Sequence, residues 1–206
     1  MVMFLKSNTA KVAKVDEAWN LESALDVLIV LLYEEGPRGR TGESIEGITR
    51  LDKIMYLLSE SPEFEEAINK GYTFQADNYG PFAPEIFDDI EALKQEGIIK
   101  VVSAREPKNK IETIDQESNE KTLAEEKEAY ENVSWKTYPI ERYELTDRGM
   151  QIGSLLHNGL TEKQRVKLQE IKKTFGQISL KNLLHYVYSK YPKMTERSKI
   201  REKILY

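Results

Sequence analysis

No cysteine occurs among the 206 residues, so neither a disulfide framework nor a thiolate metal site can be built. Histidine is almost as scarce. His157 and His185 are the whole supply, and neither has a second histidine or an acidic pair at metal-ligand spacing, so both read as ordinary packing or surface residues. No metal or cofactor is expected. Long apolar runs are missing too: "ALDVLIVLL" covers only residues 24–32, well short of the roughly 20 residues that span a bilayer. The N-terminal "MVMFLKSNTAKVAKV" has too short an apolar stretch for a signal peptide. A cytoplasmic protein without a membrane partner is expected.

Catalytic signatures are equally absent. "GPRGRTGE" has glycines at 36 and 42 but lacks the Gly-Lys-Ser/Thr ending by which a P-loop holds phosphate and magnesium. Arg38 and Arg40 in that stretch fit either a phosphate contact or a solvated helix connection. The serines and threonines sit mostly at helix starts, where capping accounts for them. Asp88 and Asp89 are adjacent and point in different directions on a helix, which suits a solvated face better than an acid/base pair. A non-enzymatic protein is expected.

What the chain does have is an uneven distribution of charge. The formal net charge is −5, but residues 161–206 carry +8 and the first 160 residues −13. An acidic body with a basic C-terminal appendage follows.

Hydrophobic periodicity predicts the elements. A first helix over 20–35, capped by Asn20 and stopped at Gly36-Pro37, is apolar nearly all round and belongs at the centre of the core. After the polar loop "GPRGRTGESIEG", Thr49 and Asp52 suggest a capped helix start, with Ile48, Leu51, Ile54, Met55 and Leu58 at helical spacing. Ser61-Pro62-Glu63 opens a short helix that ends at Gly71. "YTFQADN" reads as a strand, Tyr79-Gly80-Pro81 as a turn, and Pro84 as the start of a helix that buries Ile86, Phe87, Ile90 and Leu93 and ends at Gly97. "IIKVVS" (98–103) and "YPIERYEL" (138–145) form an antiparallel two-stranded wing. Residues 104–134, with nine acids and five bases, read as a mobile wing tip that is dispensable for folding. Helices then start at Thr146 (Met150, Ile152, Leu155 and Leu156 inward), Thr161 (Leu168, Ile171, Phe175), Ser179 (Leu180, Leu183, Leu184, Val187, Tyr188) and Thr195 (Ile200, Ile204). The fold class is therefore mainly α with a small antiparallel β wing (α+β). It divides into an N-terminal extension 1–19, a winged helix-turn-helix-like domain 20–157 and a basic C-terminal helical extension 161–206.

"TRLDKIMYLL", "NYGPFAPEIFDDIEAL" and "YELTDRG" resemble the core of the YwgA-like and Panacea antitoxin-domain proteins of prokaryotes, through Thr49, Leu51, Lys53, Tyr56 and Leu57, then Tyr79, Gly80 and Pro81, then Leu145, Thr146 and Gly149. The resemblance spans residues 20–157. It implies a winged-helix-like fold, a regulatory or partner-binding role and no catalytic residues. The long wing insertion and the added C-terminal helices depart from that pattern.

Two functions are expected on this basis. In the first, the chain is a DNA-associated transcriptional regulator with phosphate contacts from Lys163, Arg165, Lys167, Lys172, Lys173, Arg197, Lys199, Arg201 and Lys203. In the second, it is a protein-binding module of antitoxin or adaptor type that meets a basic partner through the acidic helix 84–96 and the mobile wing, with Tyr79, Glu85, Asp88, Asp89 and Glu91 as the contact residues. The first is the main expectation, because the element order and the basic segment support it, and the second is the alternative. The acidic helix 84–96 weighs against the first, because carboxylates repel phosphate and accept directly only from cytosine N4 among the bases. Tyr186, Tyr188 and Tyr191 beside Lys181, Lys190 and Lys193 fit base stacking, core packing or a homodimer contact.

Overall fold

A computed structural model describes residues 21–104 and 140–206. The expected wing tip lies almost wholly outside them. Helix α1 (Ala24–Tyr33) is held by a capping box in which the Ser23 hydroxyl accepts from the Asp26 amide and the Asp26 carboxylate accepts from the Ser23 amide. The cap is thus Ser23, three residues later than expected: its hydroxyl has a matching acid at the third helical position. Val27 to Leu32 are all buried, so α1 is the core helix that its composition demands.

The loop after α1 is not wholly irregular. Glu35 pairs with Thr41 in an isolated bridge, and strand β1 (Ile45–Glu46) follows. Helix α2 (Ile48–Ser59) starts directly after Gly47, with no side-chain cap. Thr49 and Asp52 therefore do not open it as expected; Asp52 is buried further along the helix. Next come a short helix α3 (Glu65–Asn69), strands β2 (Gln75–Asp77) and β3 (Gly80–Phe82), and helix α4 (Glu85–Gln95). Gly80 and Pro81, expected in a turn, are strand residues: Asp77 pairs with Gly80, Ala76 with Pro81 and Gln75 with Phe82, which leaves Asn78 and Tyr79 as the turn.

Strands β4 (Ile99–Ala104) and β5 (Ile140–Leu145) pair antiparallel through six residues, from Ile99 opposite Leu145 to Ala104 opposite Ile140. The expected pair gains a third member, since β1 lies on the far side of β5, giving the order β1-β5-β4. A two-residue strand inside a polar loop carries no periodicity to read. Helix α5 (Asp147–Asn158) begins at a Thr146 cap whose hydroxyl accepts from the Gly149 amide. Gly149 is buried against β4, and a Cβ there would collide with the Ile98 carbonyl oxygen.

Helices α6 (Glu162–Phe175) and α7 (Leu180–Lys190), a 3₁₀ turn (Pro192–Thr195) and helix α8 (Arg201–Leu205) complete the chain. Thr195 does not cap a helix as expected; it is buried and its hydroxyl donates to the Pro192 carbonyl. Leu155 and Phe87, expected to face inward, are 38% and 37% exposed. Each lies beside its helix's buried stripe, where a one-residue rotation separates core from surface.

Two buried cations tie these C-terminal helices to the body. Lys172 is 1% exposed and donates to the carbonyls of Leu32 and Glu34, at the C-terminal end of α1. Arg50 reaches from α2 to the carbonyls of Phe175 and Ile178, at the end of α6. Both satisfy orphan carbonyls that a helix terminus leaves behind, where the helix dipole favours positive charge. Burial pushes the Lys172 ammonium down to about 7, against the opposing pull of Glu34 and Glu43.

A cation with a depressed pKa binds fewer protons in the folded chain than in the unfolded one. Stability should therefore rise with pH between about 7 and the ordinary lysine value of 10.5. Urea unfolding at about pH 7 and about pH 9.5 is expected to show this rise in the parent and a flatter response in Lys172→Met. Gly149→Ala should cost roughly 1–3 kcal/mol, because the obstacle is backbone and cannot rotate away; thermal unfolding checks it.

Candidate partner-binding site

From Leu51 to Leu58 helix α2 is apolar except for two adjacent opposite charges, Asp52 and Lys53, each 2% exposed. Burying them demands that every lone pair and proton find a partner. Lys53 Nζ lies 2.7 Å from Asp52 Oδ2 and donates to the Pro81 carbonyl, also at 2.7 Å. The second Asp52 oxygen accepts from the Ala83 amide at 3.2 Å. Burial raises the Asp52 carboxyl above the usual range, and the Lys53 ammonium draws it back. The pair thus grips β3 by its backbone, at the two residues that flank Phe82.

The hairpin is fixed from the other side by the C-terminal segment. The Asn78 carbonyl accepts from the Ser198 hydroxyl and the Lys199 amide, and Ser198 bonds the Tyr188 hydroxyl at 2.8 Å. Gly80 adopts φ +86°, and a Cβ there would stand 3.0 Å from the Tyr188 ring. Glycine meets both demands at once.

Helix α4 leaves this fixed hairpin two residues after Ala83. Ile86, Ile90 and Leu93 are buried, while Phe87 stays exposed with its ring 5.6 Å from that of Phe82. The same helix is rich in acids. Asp88 and Glu91 are exposed, Glu85 is half-buried, and Glu91 pairs with Lys94 from its own helix, at 2.7 Å. Asp89 is different: it accepts from the Tyr72 hydroxyl at 2.9 Å, and burial raises its pKa. It is bonded into the body instead of lying on the solvated face expected from its spacing. Tyr79 sits half-buried in the hairpin turn. The structure therefore brings Tyr79, Glu85, Asp88, Asp89 and Glu91 onto one hairpin-helix unit.

The nine expected phosphate contacts do not gather in the same way. Lys172 is buried and committed to α1, so it cannot meet a phosphate. Lys173 pairs with Glu35 at 2.6 Å and Lys167 with Glu170 at 2.7 Å, and Arg165 donates to the Asn158 carbonyl. Lys163, Arg197, Lys199 and Lys203 are exposed, and Arg201 is half-buried; they are divided between α6 and the last residues of the chain. His157 packs its ring on Tyr33 and bonds Glu34 at 3.0 Å. Among the described residues no three of His, Asp or Glu come together as a metal-ligand group, and no helix is long and apolar enough to cross a membrane.

Asp52, Lys53 and the Phe82–Phe87 pair were absent from the residues expected to form a site. One signal was present for the first two: adjacent opposite charges inside an apolar run need each other or a third group. Breaking the pair should be costly. Lys53→Met, which leaves the Asp52 carboxylate buried, is expected to destabilise by roughly 3–5 kcal/mol. The double change Asp52→Asn with Lys53→Met should cost clearly less than the sum of the single changes. Denaturant unfolding of the four proteins measures the difference.

The comparisons with known proteins bear on the same segment. Neither curated proteins nor solved structures gave a significant match. A family model did: the antitoxin SocA-like Panacea domain matches residues 51–192, from the buried pair on α2 through the hairpin and α4 to the end of α7. That span is well over half of the chain, and it takes in Asp52, Lys53, Pro81 and Tyr188 of the residues that fix the hairpin, with Ser198 and Lys199 beyond it. The chain belongs to the SocA-like antitoxin, Panacea-domain family.

Proposed function

We propose that this chain is a non-enzymatic, protein-binding module of antitoxin type, and that its partner meets the outer side of α4 beside the β2–β3 hairpin. One observation carries the reading: Phe87 is exposed against Phe82 within an acidic surface, on a helix whose position is set by buried hydrogen bonds. An aromatic anchor with a charged rim is the arrangement of an interface hot spot. The rim acids select a basic partner and speed its approach. A rigid frame lowers the ordering cost of binding.

The DNA-regulator reading draws less support. Phosphate attraction needs cations gathered on one surface, and the exposed ones are divided between α6 and the C-terminal end. The family likeness points to an antitoxin and not to a promoter.

The test is growth rescue: the chain is co-produced with candidate basic toxins that arrest growth, and the affinity of each purified pair is measured. Phe87→Asp is expected to abolish rescue and weaken binding roughly thirtyfold or more, as loss of a hot-spot anchor does, with the melting temperature little changed. Asp88→Asn with Glu91→Gln should chiefly slow association and reduce its dependence on salt. An unaltered affinity in Phe87→Asp, or tight DNA binding in a gel-shift assay, would overturn the reading.

A further inference from the structure

In an antiparallel ladder the hydrogen-bonding groups of successive residues point alternately to the two sides of the strand. The Gly47 amide donates to the Glu141 carbonyl, so Glu141 and Tyr143 of β5 face β1, while Arg142 and Glu144 face β4. The Thr146 amide donates to the Ile98 carbonyl, which sets the same phase on β4: Ile98, Lys100 and Val102 face β5. The backbone amides and carbonyls of Ile99, Val101 and Ser103 must therefore point away from the sheet. Among the described residues none of them has a backbone hydrogen-bond partner outside the strand pair. β4 is the edge in the order β1-β5-β4.

Edge strands are commonly blocked by a bulge, a proline or a projecting lysine. β4 has neither of the first two: its register is unbroken over six pairs and its sequence is Ile-Lys-Val-Val-Ser-Ala. Its one lysine, Lys100, is drawn inward across the sheet to Glu144 at 3.2 Å. Val102 is 38% exposed. The α4 chain runs directly into this strand through Gly97, and α4 carries exposed Asp88 and Glu91 against the single Lys94.

We propose that the outer edge of β4 is a strand-addition site for an extended, lysine- or arginine-bearing segment of a partner protein. This rests on the protein-binding reading above. The backbone of the incoming segment bonds Val101 and Ser103, since Ile99 is 3% exposed and already covered, and its cations are selected by the exposed acids of α4. Strand addition draws affinity from main-chain hydrogen bonds and specificity from alternate side chains.

The probe is a blocked synthetic peptide of alternating lysine and valine, added to the full-length chain, with a glutamate-valine peptide as the control. Hydrogen exchange followed by NMR is expected to show the amides of Val101 and Ser103 slowed at least tenfold by the lysine peptide. The glutamate peptide should bind at least tenfold more weakly. Val101→Pro removes an outward donor without touching the β4–β5 ladder, and it should lower affinity at least tenfold while the chain still melts cooperatively. Should that variant fail to fold, Ser103→Pro makes the same test at the other outward amide. Equal binding by the proline variant, or Val101 and Ser103 amides already as slow as those of Lys100 and Val102 without peptide, would overturn the proposal. If toxin rescue and partner affinity survive Val101→Pro, the edge is wrong and the protein-binding reading stands; if the parent shows neither rescue nor partner binding, that reading falls with it.

Discussion

The grip of Lys53 on the Pro81 carbonyl is the constraint from which the rest of the candidate site follows. An ammonium removed from water must be compensated on the spot, and here the compensation comes from one carboxylate and one backbone oxygen. Apolar contacts alone would let a hairpin of two three-residue strands slide or tilt at little cost, because they are non-directional. A buried, directional bond does not. By holding Pro81 and Ala83, the Asp52–Lys53 pair fixes where α4 begins, and hence where Phe87 and its acidic neighbours stand.

The same device recurs with a different purpose. Lys172 and Arg50 each spend a buried cation on carbonyls at the end of a helix, one closing α1 with α6 and the other closing α6 with α2. The helices from Glu162 onward are therefore fastened to the body as well as packed on it, and Leu168, Val187 and Tyr188 belong to one core with Leu28 and Leu58. Positive charge that would be free for a nucleic acid is in part consumed internally.

Much of this fold was legible in the sequence, because periodicity is a strong signal over long elements. The all-apolar α1, the stripe of α4 and the starts of α5, α6 and α7 at Thr146, Thr161 and Ser179 follow from spacing and cap chemistry. The errors fall where the signal is short or two-sided. β1 has only two residues, and the Gly80-Pro81 pair reads as a turn until the partner strand shows that Asn78 and Tyr79 already make it. For the site, the acidic helix face was visible as composition. The bond between Asp89 and Tyr72 and the exposure of Phe87 were not, since both depend on neighbours distant in the chain. Lys172 shows the limit of counting charges: a lysine in a basic segment gives no sign of whether it faces solvent or a carbonyl 140 residues away.

That separation in the chain has a consequence for synthesis. Arg50 emerges from the ribosome long before Ile178, and Leu32 long before Lys172, with 128 and 140 residues between them. At the usual elongation rate of 5–20 residues per second, the wait is roughly 6 to 28 s. Throughout it α1 has its terminal carbonyls unpaired and Gly80 has no Tyr188 to rest against. The nascent protein thus has the Asp52–Lys53 grip on its hairpin early, and gains the contacts from Tyr188, Ser198 and Lys199 only after those residues are made. The contacts that close α1 and brace the far side of the hairpin therefore form late and close together, once residues 172–199 have emerged.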